Sequence, residues 1–108
     1  MSQKFLLEAV QDKKVVTFTY LGVSRVVEPY ALGLSPEGDI TLMGWEMSGM
    51  GAEGWRNYLI DKMRCTQLTS QYFRDARSDY SPEDLQMQHV LAWVGAPERS
   101  LDLFSGYR

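Results

Sequence analysis

The chain has 108 residues, of which 44% are hydrophobic, 12% aromatic and 23% charged, and its formal net charge is −3. This is the composition of one folded domain, and the acidic balance excludes a body that clings as a whole to nucleic acid or to an anionic membrane. A single cysteine, Cys65, and a single histidine, His89, exclude an internal disulfide framework, a cysteine-rich zinc site and a two-histidine metal motif.

The opening residues Met1-Ser2-Gln3-Lys4-Phe5 carry a cation but no long apolar run before Glu8, so neither a signal peptide nor a membrane span is expected there, and the expected location is the cytoplasm. No internal repeat or low-complexity tract divides the chain. Charge is uneven along it. Residues 13–77 hold eight Lys/Arg and seven Asp/Glu, whereas residues 78–108 set Arg99 and Arg108 against Asp79, Glu83, Asp84, Glu98 and Asp102. Any anion site is therefore expected in the middle segment.

In chain order, residues 3–12 read as a short helix capped by Ser2, with Phe5 and Ala9, and Leu6 and Val10, spaced by four on one side. Residues 15–20 alternate, Val16, Phe18 and Tyr20 sharing a face, and their β-branched and aromatic content predicts a strand. A tight turn at Gly22 leads into a returning strand over 25–34, where Pro29 demands a bend, a bulge or an edge position. Ser35-Pro36-Glu37-Gly38 is a turn: proline sets φ at its first corner and glycine accepts a positive φ at its exit. Strands follow over 39–46, 55–60 and 64–69, with a glycine-rich loop over 47–54 and a tight turn at 61–63. Short strands without intervening helices predict a mainly β fold, an N-terminal helix plus a five-stranded Sm/SH3-like barrel, over residues 1–80.

After Phe73 the pattern changes. Ser81-Pro82-Glu83-Asp84 has the form of a helix start, and a C-terminal helix is expected to about Val94, broken at Gly95. Residues 81–108 then form a helical extension that packs on the barrel or on a partner. Leu101, Leu103 and Phe104 make the tail apolar and point to docking or dimerisation.

The string Gly49-Met50-Gly51-Ala52-Glu53-Gly54 has the spacing of a dinucleotide fingerprint, but Trp55-Arg56-Asn57-Tyr58 after it alternates like a strand where the fingerprint needs a helix, so it reads as a loop. His89 lacks a carboxylate at helical spacing, and Cys65, expected to be a buried thiol, lacks a base. The acid pairs Glu37/Asp39, Glu83/Asp84 and Asp75/Asp79 fall in turns or at the helix start. Nothing here builds a catalytic constellation, and no enzyme, metal or cofactor is expected. What remains is a set of cations beside aromatics: Tyr20, Arg25, Trp45, Arg56, Tyr58, Lys62 and Arg64. Arginine forks bind phosphate or carboxylate and aromatic faces stack on bases, although strand arginines also serve simply as the wet side of a barrel.

Leu7-Glu8-Ala9-Val10, the strand ending in Tyr20, Arg25-Val26-Val27-Glu28-Pro29-Tyr30, Ile40-Thr41-Leu42, Trp55 to Met63 and finally Phe73 follow one another in an order that resembles the WYL domain family. The likeness spans roughly residues 5–73. In the triplet that names the family only Leu42 is kept, Ile40 and Thr41 replacing Trp and Tyr, and Lys62 matches the family's basic residue in the last segment. The resemblance implies an Sm-like barrel serving as a regulatory sensor without a DNA-binding part of its own, with Arg25, Arg56 and Tyr20 at the family's strand positions and Thr41 offering a shorter hydroxyl. The ligand implied is a nucleotide-like or single-stranded nucleic-acid anion, met by Tyr20, Arg25, Thr41, Trp45, Arg56, Tyr58 and Lys62. The alternative is a structural protein–protein module that forms a homo-oligomer, a dimer through the C-terminal helix, or binds another protein and takes no small ligand.

Overall fold

A computed structural model describes residues 3–96. A helix, α1 (Gln3–Asp12), precedes five strands, β1 (Lys14–Tyr20), β2 (Val23–Leu34), β3 (Ile40–Ser48), β4 (Gly54–Leu59) and β5 (Met63–Tyr72), and a sixth, β6 (His89–Trp93). The strands form one antiparallel sheet in the order β4-β3-β2-β1-β5, with β6 on the second half of β2. The sequence-derived elements from 3 to 72 are present, but the barrel they form is not closed.

The reasons are local. Leu21 and Gly22 both take positive φ between Tyr20 and Val23, the geometry of a two-residue hairpin. Gly38, with φ +93°, donates its N–H to the Ser35 carbonyl and closes the turn before β3. At Pro29, which has no N–H to give, the β2–β3 register slips between Pro29 and Ala31, so β2 bulges there. The first half of β2 pairs with β1 and the second half with β6 along the edge that β1 has left. Helix α1 packs against β1, β2 and β6, burying Leu6, Ala9 and Val10 on the core of Val15, Val16, Phe18, Val27, Tyr30, Leu32 and Leu42.

Between β4 and β5, joined by the 3₁₀ turn Ile60–Lys62, no ladder forms. A side chain bridges the seam. The Tyr20 hydroxyl at the end of β1 accepts the Leu59 N–H at 3.0 Å, and its ring meets Tyr58 edge-on at 5.2 Å. A tyrosine takes the place of the ladder bonds that closure would need.

The expected helix over 81–94 is not formed. Ser81-Pro82-Glu83-Asp84 starts one 3₁₀ turn, Pro82–Asp84, and Leu85 is already extended. The residues after it become β6, with Ala92 and Val94 turned inward and His89 and Leu91 outward. The free N–H and C=O groups of β2 outweigh the helix-start signal, since a long strand with an open edge must pair its backbone. Gly33 lets β6 come close: a Cβ there would sit 2.4 Å from the His89 carbonyl oxygen. The expected capping by Ser2 and docking by Leu101, Leu103 and Phe104 lie outside the described residues.

Candidate functional site

The cation–aromatic set is divided by the fold. β3 alternates, so Leu42, Gly44 and Glu46 face the interior while Met43, Trp45 and Met47 face out. In the same way Val27 and Arg25 share the inner face of β2, opposite Val16 and Phe18 of β1. Arg25 is therefore carried inward and is only 7% exposed. Its Nη1 donates to Glu46 Oε1 at 3.0 Å, its Nη2 to the Tyr20 carbonyl at 2.9 Å and its Nε to the Val23 carbonyl at 3.3 Å.

Glu46, 1% exposed, gathers more donors. The Tyr58 hydroxyl donates to the same Oε1 at 2.7 Å, and the Met50 N–H to Oε2 at 3.1 Å. Burial pushes the carboxyl up, but the bonds from Tyr58, Arg25 and Met50, with the Arg25 charge, outweigh it and hold Glu46 below the ordinary carboxylate range. Guanidinium, phenol and backbone N–H thus converge on an anion, as the residue types suggest, and the anion is the protein's own Glu46. An unpaired buried charge costs several kcal/mol, which accounts for how completely the carboxylate is bonded.

Arg56, half-buried on β4, donates to the Ala52 carbonyl at 2.7 Å and to the Trp55 carbonyl at 3.0 Å. It holds one part of the 49–54 loop while Glu46 holds another, through Met50. Arg56 shares its strand parity with buried Tyr58 and pairs with inward-facing Gly44, which puts it on the same face of the sheet as Arg25. The fingerprint-like glycine string is this loop, and strand β4 follows it.

Thr41 lies toward the other end of β3, five residues or roughly 17 Å from Glu46 along the strand. It is buried, and its hydroxyl donates to the Asp39 carbonyl. It borders an open cleft with Glu37, Asp39, Asp84, Met43 and Met87, a rim of carboxylates. Lys62 is exposed on the 3₁₀ turn, and Arg64, exposed at the start of β5, donates from Nη1 to the carbonyls of Asp61 and Met63. Cys65 is exposed with φ 55°, where the sequence reading expected a buried thiol.

Trp45 and Trp55 face each other across β3 and β4, rings perpendicular at 5.3 Å. Four residues outside the expected site set complete their surroundings: Glu28, Tyr30, Arg77 and Tyr80. Arg77 grips Glu28 with Nε at 3.0 Å and Nη2 at 3.3 Å, and its guanidinium carbon lies 4.1 Å from the centre of the Trp45 ring. The parity of β2 and β3 could have placed Glu28 beside Trp45, whereas nothing local to Arg77 announces where its loop returns.

Among the described residues no group of three His, Cys, Asp or Glu could hold a metal ion, and no helix is long and apolar enough to cross a membrane. No family model, curated protein or solved structure matches the chain.

Proposed function

We propose that the chain is a non-catalytic, WYL-like regulatory module of the cytoplasm that works by protein association, first of all with a second copy of itself. The observation that carries this reading is the open sheet. Among the described residues β4 pairs only with β3 and β5 only with β1, so each presents an unpaired strand edge, the standard template for adding a strand. Exposed apolar side chains, Tyr72 at the end of β5 and Leu91 on β6, add contact area beside open backbone. The neutralisation of Arg25 by Glu46 supports this reading over a small anionic ligand at that spot. Association runs through strand edges and not through a C-terminal helix.

Sedimentation equilibrium over a wide range of protein concentration tests it. Wild type forms a dimer, and Leu91→Lys with Tyr72→Lys shifts it to monomer with the melting temperature unchanged. A strict monomer at every concentration sinks the reading.

A second reading keeps a nucleotide-like or single-stranded nucleic-acid ligand. Exposed Lys62 and half-buried Arg56 favour it, since neither side chain is paired with a carboxylate among the ion pairs of the described residues. Its mark would be oligonucleotide affinity that falls steeply with salt and loses about one unit of that slope in Lys62→Ala.

A further inference from the structure

The outer face of β2, β3 and β4 carries a second self-filled site of the opposite sign. Its floor is the Trp45 indole, with Trp55 standing perpendicular to it and Tyr30 and Tyr80 beyond. Its wall is the Glu28 carboxylate, whose side chain is only 11% exposed. Both indole N–H groups are tied to carboxylates, Trp45 Nε1 to Glu53 and Trp55 Nε1 to Asp79, each at 3.0 Å. An N–H donated to an anion leaves the ring richer in π charge, and electron-rich faces beside carboxylates are what a cation seeks.

The cation now in place is Arg77, which also donates its backbone N–H to the Tyr30 hydroxyl at 3.0 Å. Unlike the floor and wall, it comes from the connection between β5 and the Pro82–Asp84 turn, where Arg74, Asp75, Ala76, Ser78 and Asp79 are all exposed. The Arg77 side chain itself is 33% exposed. The floor and wall, Trp45 and Glu28, are thus part of the sheet, while the occupant sits on a surface strap that is also pinned to the sheet, by Asp79 to the Trp55 N–H and by the Tyr80 hydroxyl to the Val94 carbonyl.

We propose that Glu28, Trp45 and Trp55 form a recognition site for an arginine side chain of a partner peptide, with Arg77 as an internal occupant that the partner displaces. The site suits guanidinium over ammonium, because Glu28 bonds a planar fork with both oxygens while the flat group stacks on the indole. Exchange of one guanidinium for another conserves charge and hydrogen bonds. The tether gives Arg77 a high effective concentration, which keeps affinity low until the strap lets go. This site is separate from the strand edges and does not depend on self-association.

The test is a titration of N-acetyl-arginine-N-methylamide, read by tryptophan fluorescence, against wild type, Arg77→Ala and Arg77→Ala/Trp45→Leu. The expected result is binding to Arg77→Ala at least about tenfold tighter than to wild type, weaker binding of the matching lysine amide, and loss in the double variant. Equal affinity in wild type and Arg77→Ala, or binding indifferent to Trp45→Leu, overturns the proposal. Should Arg77→Ala not fold, refolding in the presence of the arginine amide restores it if the site is as described, and failure to restore it counts against the site.

Discussion

Tyr58 donates its phenolic hydrogen to Glu46 across 2.7 Å, and each side chain is 1% exposed. One bond therefore joins the far end of β4 to the loop end of β3, on the same carboxylate that neutralises Arg25. The pair makes Glu46 a charge that the fold needs ionised. Its pKa lies below that of an ordinary glutamate, so the stability it contributes is present above that ordinary value and is lost as pH falls through the lower folded value. Urea unfolding across the acid range is expected to show wild type weakening there. Glu46→Gln should be less stable at neutral pH but flatter toward acid; an identical acid slope in both would contradict the assignment.

The alkaline side has the opposite sign. Burial, with the Glu46 hydrogen bond and charge, pushes Tyr58 far above its ordinary value. Burial, with the charges of Tyr30 and Glu83, pushes Tyr80 up to about 12. Raised folded values mean stability that is complete below pH 10.0, where the unfolded tyrosines ionise, and is lost as pH rises through the folded values. Absorbance titration of the native protein is expected to show these two phenols held back until unfolding releases them. Tyr58→Phe removes one phenol from that late step and lowers stability by about 1–3 kcal/mol, because Glu46 loses a buried donor.

Gly33 is the seat of β6. A methyl group there meets backbone, the His89 carbonyl oxygen at 2.4 Å, and the Met87 sulfur at 2.7 Å, so the strand must move away. Gly33→Ala is expected to cost about 1–3 kcal/mol and to speed amide exchange over residues 89–93 while β1 and the first half of β2 keep theirs. Unchanged protection of β6 would show that it is seated some other way.

The strands were legible where alternation and turn chemistry agreed. Val16 and Phe18 on one parity, Pro29 at the bulge and Ser35 to Gly38 at the turn each carry their instruction locally. The sixth strand was not, because Ser81-Pro82-Glu83-Asp84 looks like a helix start, and the competing demand, the free second half of β2, lies some fifty residues earlier in sequence. Glu46 was within reach. It shares the parity of buried Leu42, as Arg25 shares that of Val27, which puts both charges inside. Read by residue type alone, Arg25, Tyr58 and Arg56 look like groups awaiting an external anion; only the pairing of β2 with β3 reveals that one is built in.

The internal ion pair is the centre of this account, and a double-mutant cycle on it by urea unfolding is the most direct test. Arg25→Met and Glu46→Met are each expected to cost about 3–5 kcal/mol, since each strands a buried charge or leaves a buried guanidinium unmatched. The double variant should then lose far less than the two together, a coupling above about 1 kcal/mol. Strictly additive losses, or an Arg25→Met protein as stable as wild type, would contradict the claim that the arginine of β2 is held by the protein's own carboxylate.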